Sequence, residues 1–468
     1  MDPRSADPTG APAPGDVLEK GPTGELAQFI ASLSWSDIPE DVTHQAKRCF
    51  IDWLGVTLAG SADPSAEIVL SLADEMGSDE SATVVGSGRR VPLGAAALAN
   101  GFLAHVQDYD DTYNPARTTV HGSAPVWPVV LALGERSRLD GCRALAAFVA
   151  GFETQIRVAL AAGPSHYEAG WHVTGTVGHL GAAAAAASVL SLPPAEVAHA
   201  LGAAATQAAG LKGVYGTMGK ALHPGKAAMD GLLAALLARR GFTATTSILE
   251  RPRGFLEVMS PDPQPELAAT GLGETWTLRD NGFKPYPCGS LTHPTIEAVL
   301  GLRREHGLEP EQIESISAVV NDYVSWVTGK PEPETGLEAK FSIFHCAAVA
   351  AVDGVASIHQ FEDVRVNDPA VVSMRGKVRI AVDDALPKDA ASVILTLTDG
   401  RQLTSTVVHN KGTPDKPMPD AEVEEKFLTL ASPLLGSDTA RRVAELSWNL
   451  EECAEIAEVA ELCRGQAR

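Results

Sequence analysis

The chain has 468 residues, 45% hydrophobic and only 5% aromatic, which supplies a large core in two or three domains and suits close-packed helices better than aromatic-rich strands. A formal net charge of −22 excludes nucleic acid as a natural partner, because phosphate neutralisation needs a basic surface, and it disfavours anionic membranes. Six cysteines without CxxC spacing give no zinc site or disulfide framework, so a cytoplasmic chain with reduced thiols is expected, without a signal peptide and without an apolar run of roughly 18 residues to cross a bilayer.

Residues 1–23, rich in Pro, Gly and Asp, read as a disordered tail. Apolar residues at helical spacing predict an amphipathic helix within 44–60. Residues 81–91 read as a short strand and turn. Residues 92–105 are small and apolar and predict a buried helix, followed by helices over 125–134 and 142–162. Residues 166–181 read as a glycine-rich loop running into an alanine-rich helix. Pro193-Pro194 opens a further helix to about 209. A second glycine-rich loop occupies 210–226, and a strong helix follows over 227–240. Beyond about 276 the pattern changes. Strands are expected at 313–320, 376–382, 393–398 and 402–408, the last two joined by Asp399-Gly400 as a hairpin, with a helix over 340–355. From 420 the chain is helical again. The fold expected is mainly α: helical sequence over 24–275 and 411–468, interrupted by an α+β insert over 276–410.

Four segments carry polar chemistry. The first, NGFLAHVQDYDDTYNPARTTVHGSAPVWP, sets Asp108, Asp110, Asp111, Thr112, His105 and His121 among apolar neighbours. Such groups must be paired or functional, since burying them unpaired is costly. One reading is a capping network. A cation site is disfavoured, because the EF-hand pattern is absent. The functional reading has Asp108, Thr112 and His121 lining a pocket. The second segment carries His172 ahead of a helix start, a place that favours anions and suits an acid/base histidine. GTVGHLG lacks dinucleotide-fingerprint spacing. The third, GVYGTMGKALHPGK, has one residue too many between its glycines for a phosphate loop and Ala221 where Ser or Thr should hold magnesium. Lys220, His223 and Lys226 remain as carboxylate-binding candidates or as solvated side chains. The fourth, KPYPCGSLTHP, is a rigid turn presenting Lys284 and His293, with Cys288 a weak candidate nucleophile.

In this order, NGFLAHVQDYDDT, HGSAPVWP, GWHVTGTVGHLGAA, GTMGKALHPGKAA, KPYPCGSLTHP and GTPDKPMPDAEVEEKF resemble the MmgE/PrpD family, which includes 2-methylcitrate dehydratase, cis-aconitate decarboxylase and iminodisuccinate epimerase. The resemblance covers nearly the whole chain after the tail. It implies a large helical domain built from both chain ends, a smaller α+β lid between them, a homodimer, and no required metal or organic cofactor. Pocket residues of the decarboxylase branch fall on Asp108, Thr112, His121, His172 and Lys220. Two departures from that branch stand out: His345 replaces a lid tyrosine, and Pro287-Cys288-Gly289 stands where a histidine occurs.

The family reactions share the generation of carbanion character beside a carboxylate, which a positioned base and cationic donors can support. The expectation is a cofactor-independent lyase on a small di- or tricarboxylic acid. His121 and His172 share acid/base duty, and Asp108 orients a histidine. Lys220, helped by His223 or Lys284, holds carboxylates, while Thr112 and His345 contact substrate. An isomerase or epimerase would use the same pocket, and a non-catalytic binder could retain the fold.

Overall fold

The computed structural model describes residues 18–115 and 118–466. Residues 1–17 of the expected tail lie outside that range. A helix already runs over Pro22–Ser32, with Thr23 buried and its hydroxyl donating to Glu250.

Five helices build the part of the fold that carries the first three segments. They are α1 (Glu40–Ser61), α2 (Leu93–Val106), α3 (Gly141–Glu168, broken at Gly163-Pro164), α4 (Val173–Val189) and α5 (Met218–Ala238). α2 packs on α5, α5 on α4, and α4 on α3. α4 and its neighbours are poor in large side chains, so backbones approach closely. A Cβ on Gly101 of α2 would lie 2.6 Å from Cα of Gly225 in α5. That backbone contact sits one turn before His105 and just after Lys220, and it draws the two side chains together.

This close packing corrects two sequence expectations. GTVGHLG is not loop but the first turns of α4, and α5 begins at Met218, so Lys220, His223 and Lys226 are helical. Glycine and proline content argued for loops. In the structure Gly181 instead admits the carbonyl of Gly151 from α3, and Pro224 is accommodated inside α5. α3 is long and apolar enough to cross a bilayer by length and composition, yet 94% of its most apolar window is buried within the protein. Its buried Glu153 and Arg157 pair at 3.1 Å.

Beyond residue 282 the chain forms α6 (His293–His306), strand β1 (Ile313–Val320), α7 (Ile343–Asp353), and strands β2 (Val378–Val382), β3 (Ala391–Leu397) and β4 (Gln402–Val407). The sheet order is β2-β1-β3-β4, with β1 and β2 parallel and the other pairs antiparallel. Gly400, at φ +85°, takes the left-handed place in the β3–β4 turn. β1 and β3 alternate buried and less buried residues, as expected of a sheet with one packed face. α6 and α7 pack together, α6 against β3 and β4 and α7 against β2. From this region one hydrophobic cluster draws residues between 288 and 397. The largest cluster takes residues from 26 to 283 and then from 418 to 463, including Phe427 of α8 (Asp420–Leu435), which packs on α1.

Two short contacts bring the polar segments together. Thr112–Tyr113 pairs antiparallel with Asn281–Gly282, which places the aspartate segment beside the turn carrying Lys284. Trp171 bridges Leu211, and His172 N–H donates to Gly210 O at 3.0 Å, which sets His172 beside the start of α5.

Candidate functional site

α2 ends at Val106 because the next turn reverses at Asp108, a non-glycine residue at φ +50°. That reversal turns successive side chains to different partners. Asp108 lies between two ammonium groups, with Oδ1 2.7 Å from Lys220 Nζ and Oδ2 3.1 Å from Lys284 Nζ. Burial alone would push its carboxyl up, but the two lysines outweigh burial and hold it below the ordinary range. Asp110 serves the histidines instead. His105 Nδ1 lies 3.0 Å from both of its oxygens, and His121 Nδ1 lies 3.0 Å from Oδ2. Lys220 Nζ sits 2.7 Å from His105 Nε2.

This network assigns the tautomers. An ammonium can only donate, so His105 Nε2 accepts from Lys220 and its proton resides on Nδ1, facing Asp110. His121 Nδ1–H likewise donates to Asp110, which leaves the lone pair on Nε2 as a base. Thr112 donates its hydroxyl proton to the Asp110 carbonyl at 3.2 Å, and its oxygen lies 3.3 Å from His121 Nδ1. Asp111, lying deeper, accepts from Ser123 Oγ at 2.9 Å and Asn281 Nδ2 at 2.6 Å, and burial with Asp52 nearby raises it to about 7.

A cavity of 410 Å³ opens on this cluster, lined by Asp108, Thr112, His121, Lys220 and Lys284 together with His293 and Tyr215. Among the described residues, four lysines and three carboxylates line it, so the local balance there is slightly cationic on a strongly acidic chain, as an anionic ligand requires. A wider groove of 1270 Å³ runs past Gln107, Tyr109, Lys340 and Lys426 on the other side of the same segment. None of the histidines of the cluster lines it.

The other expected residues fall in different places. His172 is fully enclosed beside the cavity, 5.4 Å from the Tyr215 ring and 5.6 Å from that of His105, and its Nδ1 lies 2.8 Å from His223 Nδ1. His223 therefore contacts His172 and not Lys220's carboxylate partner. His345 does not line the cavity. Its Nε2–H donates to Gln360 O at 2.8 Å and its ring packs on Phe361, so the expected substrate contact is not made from that position. Asp108, expected to orient a histidine, hydrogen-bonds to lysines instead: an oxygen of its carboxylate lies within 4.8 Å of a His105 ring nitrogen, but Asp110 makes the hydrogen bonds to the rings.

His105, His121 and His172 each offer a ring nitrogen within 4.8 Å of the others. That spacing would suit a transition metal, but the charge does not, because the Lys220 ammonium already occupies His105 Nε2.

Burial is the leading cause of lowered histidine pKa values here: to about 3 for His105 and about 4 for His223, with His121 also lowered and His172 well below its usual value. Each folded value lies below the unfolded one, so the unfolded chain binds more protons between them. The histidines therefore make stability rise with pH through this window, each by up to about 1.4 kcal/mol per pH unit, while the raised carboxyls of Asp111, Asp52 and Glu153 act with the opposite sign, so the expected net rise is that of the four histidines less the carboxyl contribution. A urea midpoint that stays flat from about pH 7 to 5 would contradict this.

The MmgE/PrpD N-terminal domain matches residues 24–268 and the MmgE/PrpD C-terminal domain residues 286–452. The chain belongs to the MmgE/PrpD family. Among its relatives are the cis-aconitate decarboxylase-like protein oryM of Aspergillus oryzae, 30% identical over 95% of this chain and 97% of that protein, and cis-aconitate decarboxylase of Aspergillus terreus, 28% identical over 95% and 96%. Human cis-aconitate decarboxylase is 30% identical over 96% of each chain.

Within this MmgE/PrpD chain, two members of the cluster were not singled out as site residues from sequence: His105 and Asp110. Their signal was spacing. His105 and Asp110 lie five residues apart across a helix end, and only the reversal at Asp108 folds one back on the other.

Proposed function

We propose that this chain is a cofactor-independent lyase acting on a small di- or tricarboxylic acid, with cis-aconitate the first acid to test. The observation that carries the reading is the convergence of His121, Lys220, Lys284, Thr112 and Asp108 on one 410 Å³ cavity. The names of relatives aligned over nearly the full chain support it.

In this reading Lys220 and Lys284 meet substrate carboxylates, as paired ammonium groups in a buried wall are suited to do. When a C–C bond to a carboxylate breaks, CO₂ leaves and its bonding pair stays on carbon, delocalised toward a neighbouring carboxylate. The lysines stabilise that charge. A proton then returns to carbon from His121 Nε2, which first takes one up from solvent, and the ring is placed for this because Asp110 neutralises the charge it acquires. His172, one layer behind, is the second acid/base group. Elimination of water would use the same groups, with His121 first removing a proton.

The test is incubation with cis-aconitate, citrate and 2-methylcitrate in deuterated water, read by NMR. Loss of CO₂ with one deuteron on the product carbon, or loss of water with no deuteron gained by the product, is the expected result. Deuterium entering recovered substrate without loss would make the enzyme an isomerase. Binding of every acid with no turnover of any would leave a carboxylate binder and end the proposal.

A further inference from the structure

Three buried lysines from distant parts of the chain meet three consecutive carbonyls after α2. Lys340 Nζ donates to Gln107 O at 2.8 Å, Lys284 Nζ to Asp108 O at 3.0 Å, and Lys426 Nζ to Tyr109 O at 2.7 Å. The next carbonyl, Asp110 O, takes the Thr112 hydroxyl. The C-terminal end of a helix favours cations, but a separate lysine on each successive carbonyl goes beyond capping. It fixes a segment whose left-handed turn at Asp108 is disfavoured for a residue bearing a Cβ.

Lys340 is the informative member. Lys284 and Lys426 also face carboxylates, at Asp108 and Asp52 respectively. The hydrogen bonds of Lys340 Nζ go instead to neutral oxygens: Gln107 O, Gln107 Oε1 at 3.1 Å and Pro287 O at 3.1 Å. Its own carbonyl accepts from Gly289 N at 2.9 Å. One residue thus grips the 287–289 turn from both ends and ties it to the helix end that carries Asp108. That turn follows Lys284, whose ammonium also donates to Cys288 O at 3.1 Å. Burial brings Lys340 down to about 8, with Asp108 the largest opposing influence.

We propose that Lys340 is a positioning residue, tying Gln107 to Pro287 so that the Asp108 carboxylate is held between Lys220 and Lys284. The inference rests on the acid–base reading given above, but it concerns geometry that one measurement can read without substrate. Displacing Asp108 releases Lys220, and Lys220 sets the hydrogen bond at His105 Nε2.

The experiment compares wild type with Lys340→Met in three measurements: thermal melting, the ¹⁵N imidazole signal of His105, and kcat and KM on cis-aconitate. Folded K340M is expected to lose about 10–100-fold in kcat, as a roughly 1 Å displacement of reacting groups does. KM should change less than about threefold, and the His105 signal should move. Lys340→Gln, which keeps an N–H donor for the carbonyls, is expected to recover part of both. Wild-type kcat and an unmoved His105 signal in folded K340M would overturn the proposal, as would a rise in KM alone, which would put Lys340 on the substrate. If neither variant folds, the role is structural and the proposal also fails. If wild type does not turn over cis-aconitate, the function reading fails by itself, and the His105 signal still decides for Lys340.

Discussion

Replacing Asp110 with Asn is expected to lower kcat by about 10²–10⁴-fold while leaving KM within a few-fold, the range for losing acid–base assistance or its orienting carboxylate. Asp110 is fully buried, and its carboxylate meets two imidazoles at 3.0 Å. The pairing to His105 and His121 holds it well below the ordinary carboxylate range despite burial. It is therefore ionised at any working pH, and it is the nearest compensation for positive charge on His121. Asparagine keeps a carbonyl oxygen but removes that charge. An imidazolium forming at His121 would then be stranded in a buried site beside the Lys220 ammonium, whose charge already disfavours it. The ionisation assigned to His121 in the pH profile should move to lower pH, because the group that favours its charged form is gone. An Asp110→Asn enzyme with wild-type kcat and an unmoved profile would show that neither histidine cycles through a charged state.

The second large effect is on stability. Lys426→Met is expected to cost about 3–5 kcal/mol at neutral pH, the range for removing one partner of a buried ion pair. Lys426 Nζ meets Asp52 Oδ1 at 2.6 Å, Tyr109 O at 2.7 Å and Lys284 O at 3.1 Å, and Asp52 is almost wholly enclosed. Without the ammonium, Asp52 keeps the Asp111 N–H at 3.1 Å but loses its cation. Burial raises the Asp52 carboxyl even with Lys426 in place, so in the variant it rises further. A carboxyl whose folded pKa lies above its unfolded value destabilises the fold increasingly as pH rises above the unfolded value. The deficit should therefore be largest near pH 8 and shrink toward pH 5, where Asp52 takes up a proton. Urea unfolding at the two pH values reads it. A deficit under about 1 kcal/mol at the higher pH would mean that water or another donor replaces the ammonium.

α1 and β1 are legible in the sequence because an apolar face at one period suffices to identify them, and α2 because an unbroken run of small apolar residues calls for a helix buried on every side. The β3–β4 hairpin is legible because Asp399-Gly400 meets a local backbone demand. α4 and the start of α5 are not. The glycines of α4 serve contacts with Gly151 of α3 and His223 of α5, and Gly225 of α5 serves one with Leu98 of α2, and a local pattern cannot distinguish a glycine needed for a turn from one needed for a neighbour. The same limit divides the candidate site. Asp108, Thr112, His121, Lys220 and Lys284 could be picked out as polar residues in apolar surroundings, and they line one cavity. His345 is singled out only by the family resemblance, at the place of a lid tyrosine, and it turns to Gln360.

By itself, then, the sequence determined the family, the helical character of the chain and which polar residues had to be paired, because composition, periodicity and ordered motifs are local properties. Only the tertiary structure decided the pairing. Asp108 belongs to the lysines and Asp110 to the histidines because the backbone reverses at φ +50° between α2 and Thr112. That reversal is held by lysines about 180 to 320 residues away in the chain, a distance over which no sequence spacing carries information.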